Sequence, residues 1–390
     1  MNFQQIKEQD QNYILHTYGR VDAALVKGRN ARAWDAEGKE YIDFTSGIGV
    51  NSLGYSDPQW TAAVAKQAGE IQHLCNYYYS PQCTGLAEEL CHAAGMVQAF
   101  FCNSGAEANE CAIKIARKYG EKRGADQIVT LNNSFHGRTL TTLAATGQEA
   151  FHKDFLPLTQ GFLYGDGGDL KGIEALLDGP VCAVLIETVQ GEGGVVPMDE
   201  EFIRGLEKLC RERDVLLMID EVQTGVGRTG SFYSYQGYGV QPDVATTAKG
   251  LAGGLPIGAC LVGEKLRDIL KPGQQGSTFG GNPVACAGGR EVVKRVSDPA
   301  FLREVQEKGA YFRERLQAMP QVEFVRGRGL MLGIKLRSGD AHQVLEKCAE
   351  EGLLVLTAKE LVRFLPPLTI TREEIDEGLE KFAKVLREVD

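Results

Sequence analysis

Between about residues 60 and 265, short apolar runs alternate with stretches of helical period. Gln127–Leu131, Val181–Ile186 and Val215–Ile219 are almost unbroken apolar segments, as expected of strands buried on both faces. Pro58–Ile71, Ser104–Gly120 and Asp199–Arg213 repeat apolar residues at three- and four-residue spacing and predict helices. Such alternation predicts an α/β fold with a mainly parallel sheet covered on both sides. The two ends differ. Ala24–Gly28, Ala31–Asp35 and Tyr41–Phe44 read as an antiparallel opening. Beyond residue 280, helices at Val284–Arg295, Phe301–Gln317 and Arg372–Arg387 surround strands in 322–334 and at Val362–Leu365, an α+β pattern. The expected division is a large domain over 56–280, a small α+β domain over 281–390, and an N-terminal segment, 1–55, packed with the small domain.

Two strand ends carry chemistry. The run Val215–Ile219 ends at Asp220, and 243–248 ends at Lys249 with Gly250 after it. Ligands of open α/β sheets sit at carboxyl strand ends. A lysine there is either a solvated surface residue or an amine pushed toward neutrality by burial, and the latter is a nucleophile for a carbonyl cofactor. Pyridoxal phosphate requires this pair: a lysine for its aldehyde and an acid for its pyridinium nitrogen. Gly225–Gly230 matches G-x-G-x-x-G, but four residues separate it from the strand. The aromatic, glycine-rich stretch after it has no helical period, which argues against a dinucleotide loop.

Other stretches offer partners. In Asn103-Ser104-Gly105-Ala106, Ser104 is a cap, and the first N–H groups of the following helix are a site for phosphate or simply a capped helix start. Phe135, His136 and Arg138 share a strand end; Phe135 can stack on a planar ring and Arg138 can grip a carboxylate. His136 has no second metal ligand nearby and reads as a supporting residue. Ser46–Gly54 is a glycine-rich loop, either approaching a ligand or another subunit, or merely flexible. Of Tyr77, Tyr78 and Tyr79, at least one is expected to line a cleft or an interface.

Composition narrows the partners. The net charge of -10 argues against nucleic acid and anionic membranes. Ten cysteines without a C-x-x-C suit buried, reduced thiols better than zinc or a disulfide framework. With no apolar signal core over residues 1–8 and no run of membrane-span length, a cytoplasmic enzyme is expected.

Taken together, GIGVNSLGY (from Gly47), FFCNSGAEANECAIKIARKYG (100–120), SFHGRTLTTLAATGQ (134–148), ETVQGEGGVVP (187–197), IDEVQTGVGRTG (219–230), AKGLAGGLPIGA (248–259), GSTFGGNP (276–283) and VRFLPPLTIT (362–371) resemble the class III, fold type I, pyridoxal-phosphate aminotransferases from end to end. The resemblance implies a seven-stranded, mainly parallel large domain and a smaller α+β domain. Within the family, the chain is most similar to members that move the ω-amino group of acetylornithine to 2-oxoglutarate in arginine biosynthesis. The alternatives are use of ornithine, succinylornithine or 4-aminobutyrate, or a same-fold aminomutase.

The resemblance also implies roles. Lys249 carries the cofactor and moves the proton, and Asp220 pairs with the ring nitrogen. Gln223 bonds the ring 3-oxygen, with Glu221 and Val222 beside it, and Phe135 stacks on the ring. Ser104, Gly105 and Ala106 hold the phosphate. Thr278 reaches the phosphate of the neighbouring subunit's cofactor, so a homodimer with interfacial sites is implied, and Ser277 reaches substrate from that same subunit. Arg138 takes the substrate α-carboxylate. Glu192 masks Arg363 with one substrate and releases it for glutamate. Thr188-Val189, Thr247 and Tyr77 depart from the usual family pattern, and Tyr77 bears on the acyl end of the pocket.

Overall fold

The apolar runs assemble into a single sheet of seven strands. In spatial order these are Gln98–Cys102, Gly258–Val262, Val244–Thr247, Leu216–Asp220, Val181–Ile186, Gln127–Leu131 and Phe162–Gly165. Only Gly258–Val262 runs against the others, pairing antiparallel with both of its neighbours. The computed structural model describes residues 1–389.

Alternation along the central strands explains why they contain no polar face. Leu217, Ile219, Val184 and Ile186 join one core with Phe202, Ile203 and Leu206 of helix Glu200–Glu212. Leu216, Met218, Ala183 and Leu185 point the other way, into a core with Cys111, Ala112 and Ile115 of helix Gly105–Gly120. Each strand is thus sandwiched between helices and can spare no polar side chain until its end. Asp220 closes the middle strand of the seven.

The chain ends meet in a second sheet. Leu25–Arg29, Arg32–Asp35 and Glu40–Asp43 form an antiparallel meander, and Leu353–Leu354 adds to it in parallel. A third sheet, Val322–Arg328, Met331–Leu336, Leu361–Phe364 and Leu356–Ala358, is wholly antiparallel. Helix Arg372–Val389 packs near it, with Phe364 and Phe382 in edge contact at 5.2 Å. Helix Pro283–Val296 packs against helices Pro58–Glu70 and Pro81–Ala94.

The hydrophobic pattern did not predict several helices, among them Phe3–Tyr13, Pro81–Ala94, Leu170–Leu176 and Ala341–Glu350. Phe3–Tyr13 is short of apolar residues and buries none of them. Pro81–Ala94 has local punctuation in Ser80, Pro81 and the left-handed Gly95, but its buried stripe is only Leu86, Leu90, Cys91 and Ala94. A short helix, Ser234–Gly237, also stands in the aromatic stretch that showed no helical period. The Gly225–Gly230 turn before it is a structural tie. Arg228 in it is buried and donates to the carbonyls of Leu330 and Pro366. Among the described residues no helix is long and apolar enough to cross a membrane. Among the described residues every cysteine is unpaired, and all but Cys75 and Cys83 are buried.

Candidate active site

A cavity of about 460 Å³ opens at the carboxyl edge of the large sheet, lined by Ser104, Gly105, Ala106, Phe135, Arg138, Glu187, Asp220, Val222, Gln223 and Lys249, among others. These residues come from five strand ends, because a parallel sheet delivers all its carboxyl ends to one edge.

Asp220 is held on three sides. Its Oδ2 accepts from Asn109 Nδ2 at 2.7 Å and bonds His136 Nδ1 at 2.8 Å, while Oδ1 accepts the Val222 N–H at 2.9 Å. Asn109 is fixed in turn by Thr246 Oγ1 at 2.7 Å and by its own bond to the His136 carbonyl. The acid is therefore locked in one orientation at the cavity wall. His136 is a supporting residue of Asp220. Asn109 gave only a faint signal, a polar residue between Ala108 and Cys111 on a buried helix face.

Lys249 follows strand Val244–Thr247 and has a φ of 39°, in the left-handed region that favours glycine. Among the described residues no carboxylate lies within 4.0 Å of its amine. Burial lowers its proton affinity below that of an ordinary lysine; Asp220, Glu192 and Glu187 oppose that shift and Arg363 adds to it. An amine with reduced proton affinity and no salt-bridge partner is a nucleophile in waiting.

Ser104 Oγ accepts the Glu107 N–H at 3.2 Å and caps helix Gly105–Gly120. The first N–H groups, of Gly105 and Ala106, border the cavity. A Cβ on Gly105 would lie 2.6 Å from Val222, so only glycine lets the helix start this close to the Asp220 strand. Phe135 lines the cavity and meets Phe151 edge-on at 5.8 Å. Arg138 lies over Phe151 at 4.3 Å and has no acidic partner among the described residues, leaving its donors free for a carboxylate.

Gln223 links the cavity wall to an ion pair behind it. Its Nε2 donates to Glu192 Oε1 at 3.1 Å, and its Oε1 accepts from Arg363 Nη1 at 3.1 Å. Arg363 Nη1 meets Glu192 Oε1 at 2.7 Å. Burial alone would raise the Glu192 carboxyl, but the charge and hydrogen bond of Arg363, the hydrogen bond from Gln223 and the Lys249 charge together outweigh it, and the group falls below its ordinary value. Arg363 Nε is buried without a partner, so the guanidinium has donor capacity to spare. Glu221 points away, toward Thr224 and the Tyr235 N–H, and burial pushes its carboxyl up to about 7.

Thr278 and Ser277 do not line this cavity within the chain. Thr278 is exposed, and Ser277 Oγ accepts from Asn103 Nδ2 at 3.2 Å and the Gly280 N–H at 2.9 Å. Tyr77, Tyr78 and Tyr79 are all exposed, and none reaches the cavity. The groups that do line it fit pyridoxal phosphate: a fixed acid for a ring nitrogen, an amine for an aldehyde, a glycine-opened helix start for a phosphate and an aromatic wall.

A fold that places a lysine and a clamped acid on neighbouring strand ends agrees with the class-III aminotransferase family model, which matches residues 13–386, and the chain belongs to that family. Over the full length of both chains it is 46% identical to the acetylornithine aminotransferase of Haemophilus ducreyi. It is 44% identical to the succinylornithine transaminase of Yersinia enterocolitica, over 97% of this chain and 95% of that one. The solved ornithine aminotransferase of Toxoplasma gondii superposes with a TM-score of 0.95 at 33% identity, over 100% of this chain and 96% of that one.

Proposed function

We propose that this aminotransferase uses pyridoxal phosphate to move the ω-amino group of acetylornithine to 2-oxoglutarate, as a cytoplasmic homodimer. When bound, the cofactor supplies an aldehyde that accepts the amino group and a protonated ring that stores the electrons released as the substrate carbon loses its proton. The Lys249 amine takes that proton and returns it at the neighbouring position. Asp220, held by His136, Asn109 and Val222, keeps the ring nitrogen protonated. Gly105 and Ala106 bind the phosphate through backbone N–H, after the Ser104 cap, and Phe135 covers one ring face. Gln223 would hold the ring 3-oxygen. Thr278 and Ser277 serve the site of the other subunit.

The Glu192–Arg363 pair carries the choice of substrate. One pocket must admit glutamate, with two carboxylates, and an ω-amino donor, with one. Arg138 holds the carboxylate common to both. Arg363 holds the other carboxylate of glutamate and is neutralised by Glu192 when the ω-amino donor is bound, since a buried arginine left unpaired is costly. This two-substrate device favours transamination over an aminomutase reaction, which needs no external acceptor.

The test is a donor panel of acetylornithine, succinylornithine, ornithine and 4-aminobutyrate, each with and without 2-oxoglutarate. Glutamate formation fastest from acetylornithine, and none without the keto acid, is the expected result. A higher kcat/KM for another donor reassigns the substrate. Product formed without a keto acid replaces the reaction class.

A further inference from the structure

Glu187 ends strand Val181–Ile186, lines the cavity and is buried. Its two oxygens serve two different loops. Oε1 accepts the Phe135 N–H at 2.8 Å, and Oε2 accepts the Gly191 N–H at 3.2 Å. The first loop, which follows strand Gln127–Leu131, carries Phe135, His136 and Arg138. The second carries Glu192, one residue beyond Gly191. No cation lies within 4.0 Å of this carboxylate among the described residues. Burial pushes its carboxyl up to about 7, with Asp220 adding to the rise and His136 and the two backbone N–H groups opposing it. A buried acid without a counter-ion is an expensive way to cap two backbone donors and points to a task that needs both of its oxygens.

We infer that Glu187 is a positioning residue that yokes the ring-facing loop to the switch loop, keeping Phe135, Arg138 and Glu192 in register across the cavity. This rests on the roles proposed above for Arg138 and Glu192. The two loops also meet where Gln190 Nε2 donates to the Asn132 carbonyl at 2.8 Å, three residues before Phe135, and where Gly193 packs close against the Asn133 carbonyl. Glu187 joins them beside the working side chains. A carboxylate suits the task because each oxygen can accept. A glutamine has one acceptor, and its NH2 group would face the second N–H. An aspartate keeps the charge but is one methylene too short to reach both loops.

The experiment compares the wild-type holoenzyme with Glu187→Gln and Glu187→Asp by amide hydrogen exchange and by the kinetics of both half-reactions. With Glu187→Gln, peptides covering 132–139 and 189–195 are expected to exchange about tenfold faster, while 216–220 in the central strand keeps its protection. KM is expected to rise about tenfold for the ω-amino donor and for glutamate together, with kcat changed less than about threefold. Glu187→Asp is expected to behave alike and carries the same test should the glutamine variant not fold. Wild-type exchange in either loop, equal acceleration in the control strand, or full recovery of exchange and KM with aspartate overturns the yoke. If no donor is turned over by the wild-type enzyme, the exchange comparison still decides the yoke. Unchanged exchange in a working transaminase rejects the yoke alone.

Discussion

Arg363 and Glu192 meet at 2.7 Å, with Gln223 bonded to both and the arginine almost fully out of solvent. The guanidinium charge is balanced by a partner that sits on a loop and keeps partial access to solvent. An exchange of that partner for a substrate carboxylate therefore leaves the arginine paired throughout. Glu192→Ala is expected to leave Arg363 open in both half-reactions, so kcat/KM for glutamate holds or rises while the acetylornithine value falls. Arg363→Ala is expected to do the opposite, weakening glutamate and 2-oxoglutarate by roughly 2–5 kcal/mol for a lost buried charge pair. Single-turnover spectra of each half-reaction measure both, and parallel losses in both variants would sink the switch.

Lys249→Ala removes the amine and the proton carrier together. Borohydride treatment followed by peptide mass spectrometry is expected to tag Lys249 in the wild-type enzyme and no residue in the variant. Turnover is expected to fall to a few per cent or less; a higher residual rate contradicts the central role of Lys249.

Asp220→Asn keeps the size of the side chain but not the negative charge that three donors and a ring proton converge on. The variant is expected to keep its cofactor on Lys249 and lose about 10²-fold or more in kcat. An unchanged kcat would place Asp220 outside the reaction.

Glu221 makes stability fall with rising pH. Its carboxyl titrates at about 7 in the folded chain because it is buried, against an ordinary value of 4.5. Between those values the folded state binds the extra proton, so the penalty is absent below about pH 4.5 and fully present above about pH 7, on the order of 3 kcal/mol. In Glu221→Gln the amide oxygen can keep the Tyr235 N–H and the NH2 can donate to Thr224, whose hydroxyl accepts as readily as it donates. Urea unfolding at pH 5 and pH 8 is expected to show a smaller stability difference in the variant, with Glu187 supplying part of what remains. An identical difference in both proteins would mean that the Glu221 carboxyl titrates at the same pH in the folded and the unfolded chain.

Much of the site was legible in one dimension because the sheet is buried on both faces. A strand sandwiched by helices can hold polar chemistry only at its end, so the first acid after Val215–Ile219 and the lysine after 244–248 stood out without any knowledge of contacts. The helix start proposed to hold the phosphate was legible for a similar reason, since a cap and a glycine announce it locally. The Glu192–Arg363 pair came only through the family resemblance, as no local pattern links residues 171 positions apart.

The tertiary structure decided what those residues lean on. His136 and Asn109 reach Asp220 across 84 and 111 residues, and Glu187 reaches Phe135 across 52. Hydrophobic period reports which face of an element is buried, not which distant backbone donor a buried acid will meet. The sequence by itself therefore determined the sheet, the strand-end lysine and acid, and the helix start. The orientation of that acid and the joining of the two loops by Glu187 were settled only when strands remote in sequence came together at one edge, where each buried polar group had to find a partner.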